Sequence, residues 1–316
     1  MKFFVEYPEN ILSNSNLEDE FSDVDINRLE KKLGIKKRRI VAKNETALDL
    51  AKKVCSKISA EDLDQIDFLL YCTQTPEYFL PSTACVLQNE IGLRKTCGAF
   101  DFNLGCSGYI YGLAMAKSFL QSGVATKVLF VTSETYSKHL HKEDWSNRSI
   151  FGDAATATII EDKDVKKIGL FDLGTDGEGA ENLIVKGGAG KSNFEQNFER
   201  DNLFFMNGPE VFKFTLENVP ITVQSCLDKN GKSMEDIDYV IFHQANAYML
   251  KKLRKKVNVS DEKFYINVES IGNTVSNTIP IAIDDSLKRG LIKSGDCLLL
   301  CGFGVGYSWG STLITI

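Results

Sequence analysis

Cys106 lies in the small, turn-like run Leu104-Gly105-Cys106-Ser107-Gly108, and a long apolar stretch follows it to Gly123. In that stretch Tyr109, Leu113, Ala116 and Leu120 recur at spacings of four, three and four, as one face of a helix requires. Gly123 stands where a helix C-terminal glycine is expected. The spacing predicts a helix with Cys106 at its mouth. Free backbone N–H groups and the positive end of the helix dipole favour a thiolate there. A thiolate is the form of cysteine that attacks acyl groups. Gly105 and Gly108 leave room for a ligand to approach the backbone. Free cysteine is also among the most often buried residue types and packs as a small hydrophobe. Local sequence therefore leaves nucleophile and core residue both open.

Other residues invite chemistry less directly. His243 follows the apolar run Tyr239-Val240-Ile241-Phe242, where a histidine is ordinarily a hydrogen-bonded structural residue. Residues 302–310 are glycine-rich, but the run leads into a strand pattern and not a helix, against a dinucleotide loop. His139 and His141 have no evident third metal ligand and read as exposed loop histidines.

The elements that would position these groups alternate. Residues 98–103 read as a strand entering a turn, just before the Cys106 run. Residues 47–58 read as a helix, 66–72 as a buried strand and 81–91 as a helix opened by Pro81. Residues 127–131 and 154–160 are apolar strands, and 209–229 is a long helix. Residues 161–202 read as connecting loops and edge structure. Such alternation points to α/β layers.

The whole composition bounds the rest. Of the 316 residues 43% are hydrophobic and 25% charged, as in ordinary globular proteins. No apolar run approaches membrane-spanning length, and the polar N-terminus does not read as a signal peptide, so the expectation is cytoplasmic with no membrane contact. None of the eight cysteines forms a C-x-x-C pair, which favours reduced thiols over disulfides or a zinc site. A net charge of −6 argues against nucleic-acid binding. Two basic clusters, Lys31 to Arg39 and Lys251 to Lys256, still suggest a local docking surface for an anionic group.

An internal repeat is more informative. Ile66-Asp67-Phe68-Leu69-Leu70-Tyr71-Cys72 resembles Ile237-Asp238-Tyr239-Val240-Ile241-Phe242-His243. Leu104-Gly105-Cys106-Ser107 aligns with Ile271-Gly272-Asn273-Thr274, ungapped to Gly123 and Gly290. The strand at 128–131 then matches 298–301. Two copies of one α/β unit related by a pseudo-twofold axis would bring both helix mouths to one centre. Cys106, Asn273 and His243 would meet there.

These residues resemble a known family. Cys106, His243 in His243-Gln244-Ala245-Asn246 and Asn273 in Gly272-Asn273-Thr274 look like the Cys-His-Asn triad of β-ketoacyl-acyl-carrier-protein synthase III. Phe151-Gly152-Asp153-Ala154, Gly208-Pro209-Glu210-Val211 and the ending Gly302-Phe303-Gly304-Val305-Gly306 are similar to further motifs of that family. Chain-elongating ketoacyl synthases, thiolases and hydroxymethylglutaryl-CoA synthases carry a second histidine, a second cysteine or a glutamate instead, and Asn273 argues against all three.

The resemblance implies the thiolase fold, a five-layer αβαβα arrangement of two duplicated halves. Here those would be residues 1–161, with the nucleophile, and 162–316, with the histidine and asparagine. It implies a homodimer, an acyl carrier protein as partner, and no metal or redox cofactor. It implies decarboxylative condensation of an acyl-CoA or acyl-carrier primer with malonyl-carrier protein through an acyl-cysteine. The oxyanion donors would come from Cys106 and the Gly304-Val305-Gly306 loop, and His243 Nε2–H and the Asn273 amide would hold the malonyl thioester oxygen. Lys36, Arg148, Asn246, Phe303 and Leu80 fall where the family binds substrate, Leu80 within the segment Tyr78-Phe79-Leu80-Pro81 that reaches across the dimer. The chain departs from the pattern in four places, the first being an Arg148–Phe151 spacing shorter than usual. It lacks the N-terminal tryptophan that stacks on CoA adenine, Lys36 stands where arginine is common, and Tyr248 stands where a basic docking residue is common. CoA and carrier-bound primers both stay open, as does a second reading, transfer of the acyl group to an amine or hydroxyl without decarboxylation.

Overall fold

A computed structural model describes residues 1–188 and 203–316. Its first strands are β1 (Lys2–Glu6), β2 (Asn10–Ser13), β3 (Lys37–Ile40), β4 (Phe68–Cys72), β5 (Gly98–Phe102), β6 (Lys127–Glu134) and β7 (Ala154–Glu161). They are followed by β8 (Ile168–Thr175), β9 (Leu183–Val185), β10 (Phe204–Met206), β11 (Tyr239–Phe242), β12 (Cys297–Gly304) and β13 (Ser308–Thr315). One sheet has the order β1-β7-β6-β4-β5 and a second has β8-β13-β12-β11. The repeat is visible in register: Phe68 pairs in parallel with Val128, and Tyr239 pairs in parallel with Leu298. In each sheet an antiparallel strand follows, β7 beside β6 and β13 beside β12. The counterpart of β5 shrinks to a single parallel bridge between Val240 and Phe264.

The central strands are buried on both faces, hence their near-continuous apolar sequences. The helices Gly108–Ser122 and Thr278–Lys288 lie between the sheets and share one core with residues of both. Helices Ala47–Cys55 and Thr83–Glu90 cover the outer face of the first sheet, and Gly208–Lys229 covers the second. The result is five alternating layers in two duplicated halves, the thiolase fold. The helix glycines Gly123 and Gly290 occupy equivalent C-terminal positions with φ of 73° and 67°. Gly112 lets the central helix lie against Phe130, because a Cβ there would sit 2.0 Å from the ring. No helix among the described residues is long and apolar enough to cross a membrane.

Several boundaries differ from the sequence reading. The helix expected to reach residue 58 ends at Cys55, where Lys57 and Ile58 switch to bonds three residues back. Pro81 does not open a helix: the helix begins at Thr83, and the Asp101 carboxylate accepts the N–H groups of Thr83 and Ala84. That anion at a helix N-terminus does the capping expected of a local residue. Strand β6 runs three residues past Val131, because buried Thr132, Ser133 and Glu134 all find hydrogen-bond partners. Within 161–202, β8 is an edge strand as expected, and residues 189–202 lie outside the described residues.

Candidate active site

Strand β5 ends in a turn that delivers Cys106 two residues before the Gly108–Ser122 helix. Strand β12 lies directly against it. A Cβ on Gly302 would come within 2.8 Å of the Cys106 carbonyl oxygen, and one on Gly304 within 3.1 Å of Cys106 Sγ. The alternation Gly302-Phe303-Gly304 is therefore a packing requirement of the helix mouth. Ser107 Oγ and Ser308 Oγ, 2.6 Å apart, tie the two elements together. Among the described residues, neither the Cys106 nor the Val305 backbone N–H donates to the backbone of another residue.

His243 follows β11, as its sequence repeat with Cys72 requires, and its Nδ1 lies 2.8 Å from Thr278 Oγ1. The Thr278 hydroxyl donates to the Val275 carbonyl at 3.1 Å. A hydroxyl has one proton, so Thr278 Oγ1 accepts at Nδ1, and the neutral imidazole carries its proton on Nδ1. Nε2 is left with a lone pair. Asn273 is fixed in the complementary way. Its Oδ1 accepts the Val275 N–H at 2.9 Å, which leaves the Nδ2 amide as a free donor. Val275 sits between the two with a φ of 58°, strained backbone for a β-branched residue. This one residue orients both side chains, and no local sequence pattern marks it.

Cys106, His243, Asn273, Phe303, Gly304 and Val305 line one cavity of about 60 Å³, and Asn246 lies on its wall. The Phe303 ring meets the His243 ring edge-on at 5.4 Å. The electrostatics correct one expectation. The helix mouth alone predicts a thiolate, but burial, with the Glu134 carboxyl behind it, pushes the Cys106 thiol well above its ordinary value. Burial pushes His243 down to about 3. The resting pair is a thiol beside a neutral imidazole.

Sequence reasoning did not single out Glu134, at the end of β6. It is fully buried, and burial raises its carboxyl to about 8. It accepts from Gln74 N at 3.0 Å, Ser276 Oγ at 3.1 Å and Thr75 Oγ1 at 3.3 Å. It thus ties the first half's turn after β4 to the second half's helix mouth. Its folded value lies above the unfolded one, so the native state holds a proton that the unfolded state releases. Stability from this group is lost as pH rises from about 4.5 to about 8. Glu134→Gln is expected to remove that dependence: its thermal midpoint should gain on the wild type as pH rises across this interval. A gap that stays constant with pH would contradict the assignment.

The peripheral residues divide. Phe303 and Asn246 reach the cavity, and Asn246 also caps the Ala247–Lys256 helix by accepting the Met249 N–H. Arg148 does not reach the cavity: it pairs with both Glu20 oxygens, bonds the Lys142 carbonyl and lies over Phe21. Lys36 pairs with Glu269 at the surface. Leu80 is 83% exposed and lines neither cavity of the single chain that lies near Cys106. His139, expected to be an exposed loop residue, is half-buried edge-on to Tyr136, and burial lowers its pKa. The basic clusters are not simple surface runs. Arg38 is fully buried and donates to Asn14. Lys32 from one cluster and Lys252 from the other each lie 5.6 Å from the Tyr248 ring.

Known proteins resemble this chain in sequence and fold. Residues 100–177 match the family described as 3-oxoacyl-[acyl-carrier-protein (ACP)] synthase III, and residues 227–316 match its C-terminal family. The β-ketoacyl-[acyl-carrier-protein] synthase III of Caldanaerobacter subterraneus subsp. tengcongensis is 36% identical over 315 residues, covering 97% of this chain and 94% of that protein. A crystal structure of a 3-oxoacyl-(acyl-carrier-protein) synthase III superposes with a TM-score of 0.96 at 42% identity, covering 100% of this chain and 98% of that one. A 3-oxoacyl-(acyl-carrier protein) synthase from Burkholderia xenovorans superposes with a TM-score of 0.91 at 36% identity, covering 99% and 92%. The chain belongs to the 3-oxoacyl-[acyl-carrier-protein] synthase III family.

Proposed function

We propose that this enzyme starts fatty-acid chains by condensing an acyl thioester primer with malonyl-carrier protein, releasing CO₂ and a 3-oxoacyl thioester. The observation that carries the reading is the pairing of loose ends around one cavity. His243 and Asn273 each have one polar atom tied to the Val275 turn, and each keeps the other available beside Cys106.

As Cys106 sulfur attacks the primer carbonyl, Nε2 takes the thiol proton. The oxyanion that forms meets the N–H groups of Cys106 and Val305. The C–S bond to the leaving thiolate breaks, that thiolate takes a proton from solvent, and the acyl group stays on Cys106. Nε2–H and Asn273 Nδ2 then donate to the thioester oxygen of the malonyl group. The malonyl carboxylate leaves as CO₂, and its bonding pair becomes the enolate. The enolate carbon attacks the acyl-cysteine, the acyl–sulfur bond breaks, and the Cys106 thiolate recovers its proton from Nε2. Burial disfavours imidazolium in the site before malonyl arrives, so the proton passes to solvent while the acyl-enzyme waits, and the anionic malonyl group draws one back to Nε2. The cycle closes without a metal or redox cofactor.

Carrier-protein docking is proposed at Tyr248, where Lys32 and Lys252 supply positive charge beside the first turn of a helix that also borders the cavity. The phosphate of a phosphopantetheine arm suits such a surface. A homodimer is proposed because β5 is an unpaired sheet edge among the described residues and Tyr78, Phe79 and Leu80 are 53%, 76% and 83% exposed. We place the enzyme in the cytoplasm. The test is to supply an acyl-CoA and malonyl-carrier protein and follow CO₂ and product together. Stoichiometric release is expected. Acyl transfer to an amine or hydroxyl without CO₂ would favour the acyltransferase reading instead.

A further inference from the structure

Asn273 stands in no helix or strand, so its main chain is held by something else. Its N–H donates to the Ile150 carbonyl and its carbonyl accepts the Gly152 N–H, both at 2.9 Å. These two bonds form a single parallel bridge between Phe151 in the first half and Asn273 in the second. The bridge is tight. A Cβ on Gly152 would come within 2.5 Å of the Ile271 carbonyl oxygen, and one on Gly272 within 2.6 Å of the Ile150 carbonyl oxygen. The buried Arg38 stem lies against the same glycines, its Cγ 2.9 Å from where a Gly272 Cβ would be. Val275 orients the Asn273 side chain, but residues 150–152 decide where that side chain starts.

Asp153, which follows Gly152, fastens that segment. It is fully buried. Its Oδ2 accepts the Val41 N–H at 2.9 Å and the Ser137 hydroxyl at 2.5 Å, and its Oδ1 accepts the Ser137 N–H at 2.9 Å. Its own N–H donates to the Arg39 carbonyl at 2.7 Å. One carboxylate thus ties the start of β7 to the end of β3 and to the helical turn after β6. Burial raises its carboxyl to about 6, so at neutral pH it stays the acceptor-only carboxylate that three donors require. Phe151 lines the Cys106 cavity, and Asp153 does not.

We infer that Asp153 is a positioning residue for the condensation step: through the Phe151–Asn273 bridge it sets where the Asn273 amide meets the malonyl thioester oxygen. This role rests on the proposed part of Asn273 in that step. Cys106 is placed by β5 and packs on β12, so acylation draws little on the bridge. An asparagine at position 153 has no equivalent arrangement. Its NH₂ would face the N–H of Ser137 or of Val41, donor against donor, in a buried site.

The test is single-turnover kinetics read by intact mass, with acetyl-CoA to acylate Cys106 and malonyl-carrier protein to discharge it. Asp153→Asn should slow discharge by roughly 10- to 100-fold, the scale of a displacement of about 1 Å at a reacting group, and slow acylation far less. Ser137→Ala loses one of the three bonds without opposing two donors, and should slow the same step by a smaller factor. A double variant, Asp153→Asn with Asn273→Ala, shows whether the effect runs through the amide. With the amide gone, Asp153→Asn should add little to the loss from Asn273→Ala alone. Equal slowing of both half-reactions by Asp153→Asn would overturn the positioning role. So would the full loss repeated in the Asn273→Ala background, the mark of a purely structural residue. Should Asp153→Asn fail to fold, Ser137→Ala decides by the same two rates and in the same background. A wild-type acyl-enzyme that malonyl-carrier protein cannot discharge would instead overturn the condensation reading, and the positioning role with it.

Discussion

Cys106→Ala is expected to lower condensation by roughly 10⁴-fold or more, the scale seen when a covalent nucleophile is removed. No other thiol is placed to replace it. Cys72 is near, but it is fully buried and its Sγ donates to the Leu104 carbonyl at 3.1 Å. Burial also holds its thiol well above the ordinary value. The substitution leaves the Asn273 amide and the His243 ring where they are, because both are fixed by the Val275 turn and not by the cysteine, and the anionic malonyl group draws a solvent proton to Nε2 in place of the thiol's. Malonyl decarboxylation should therefore persist in Cys106→Ala while 3-oxoacyl product disappears. Measuring CO₂ and product in the same reaction checks both parts. Loss of CO₂ release together with product would mean that the enolate donors depend on the thiol.

Asn273→Asp is expected to separate the two half-reactions. An aspartate keeps an oxygen for the Val275 N–H, so the strained turn retains its hydrogen bond. It lacks the amide donor and adds an anion beside the enolate. Discharge of the acyl-enzyme by malonyl-carrier protein should fall by roughly 10²–10³-fold or more. Formation of the acyl-enzyme should change far less, because Asn273 has no part in the first step. His243→Ala should slow both steps, since Nε2 takes a proton in the first and gives one in the second. Single-turnover acylation and discharge rates distinguish these patterns. Equal slowing of both steps by Asn273→Asp would remove it from the enolate site.

The three central residues were legible because the chain repeats itself. Buried parallel strands need matching apolar runs, and β4 with β6 and β11 with β12 keep the same register. The repeat therefore carried Cys106 and Asn273 to equivalent helix mouths. Protonation was not legible, because it depends on burial depth. The helix mouth favours a thiolate, and the enclosed cavity with Glu134 behind it reverses that preference. The residues that tune the site were hidden for a related reason. Asp153 meets Val41 across 112 positions of sequence, and Ser276 meets Glu134 across 142. Neither pairing has a local signature. Arg148 was singled out by its position near a familiar motif, but its partner was not legible: Glu20, 128 residues away, holds its guanidinium. Even a helix start escaped local reading, because Asp101 on β5 supplies the cap that Pro81 seemed to promise.

The central claim is that an acyl group waits on Cys106 until malonyl-carrier protein removes it. The most direct measurement is the intact mass of wild type and Cys106→Ala after incubation with acetyl-CoA, followed by a chase with malonyl-carrier protein. An acetyl adduct on wild type alone, lost on the chase with CO₂ and a 3-oxobutyryl-carrier product, is the predicted result. An adduct on both proteins, or one on wild type that malonyl-carrier protein cannot discharge, would contradict it.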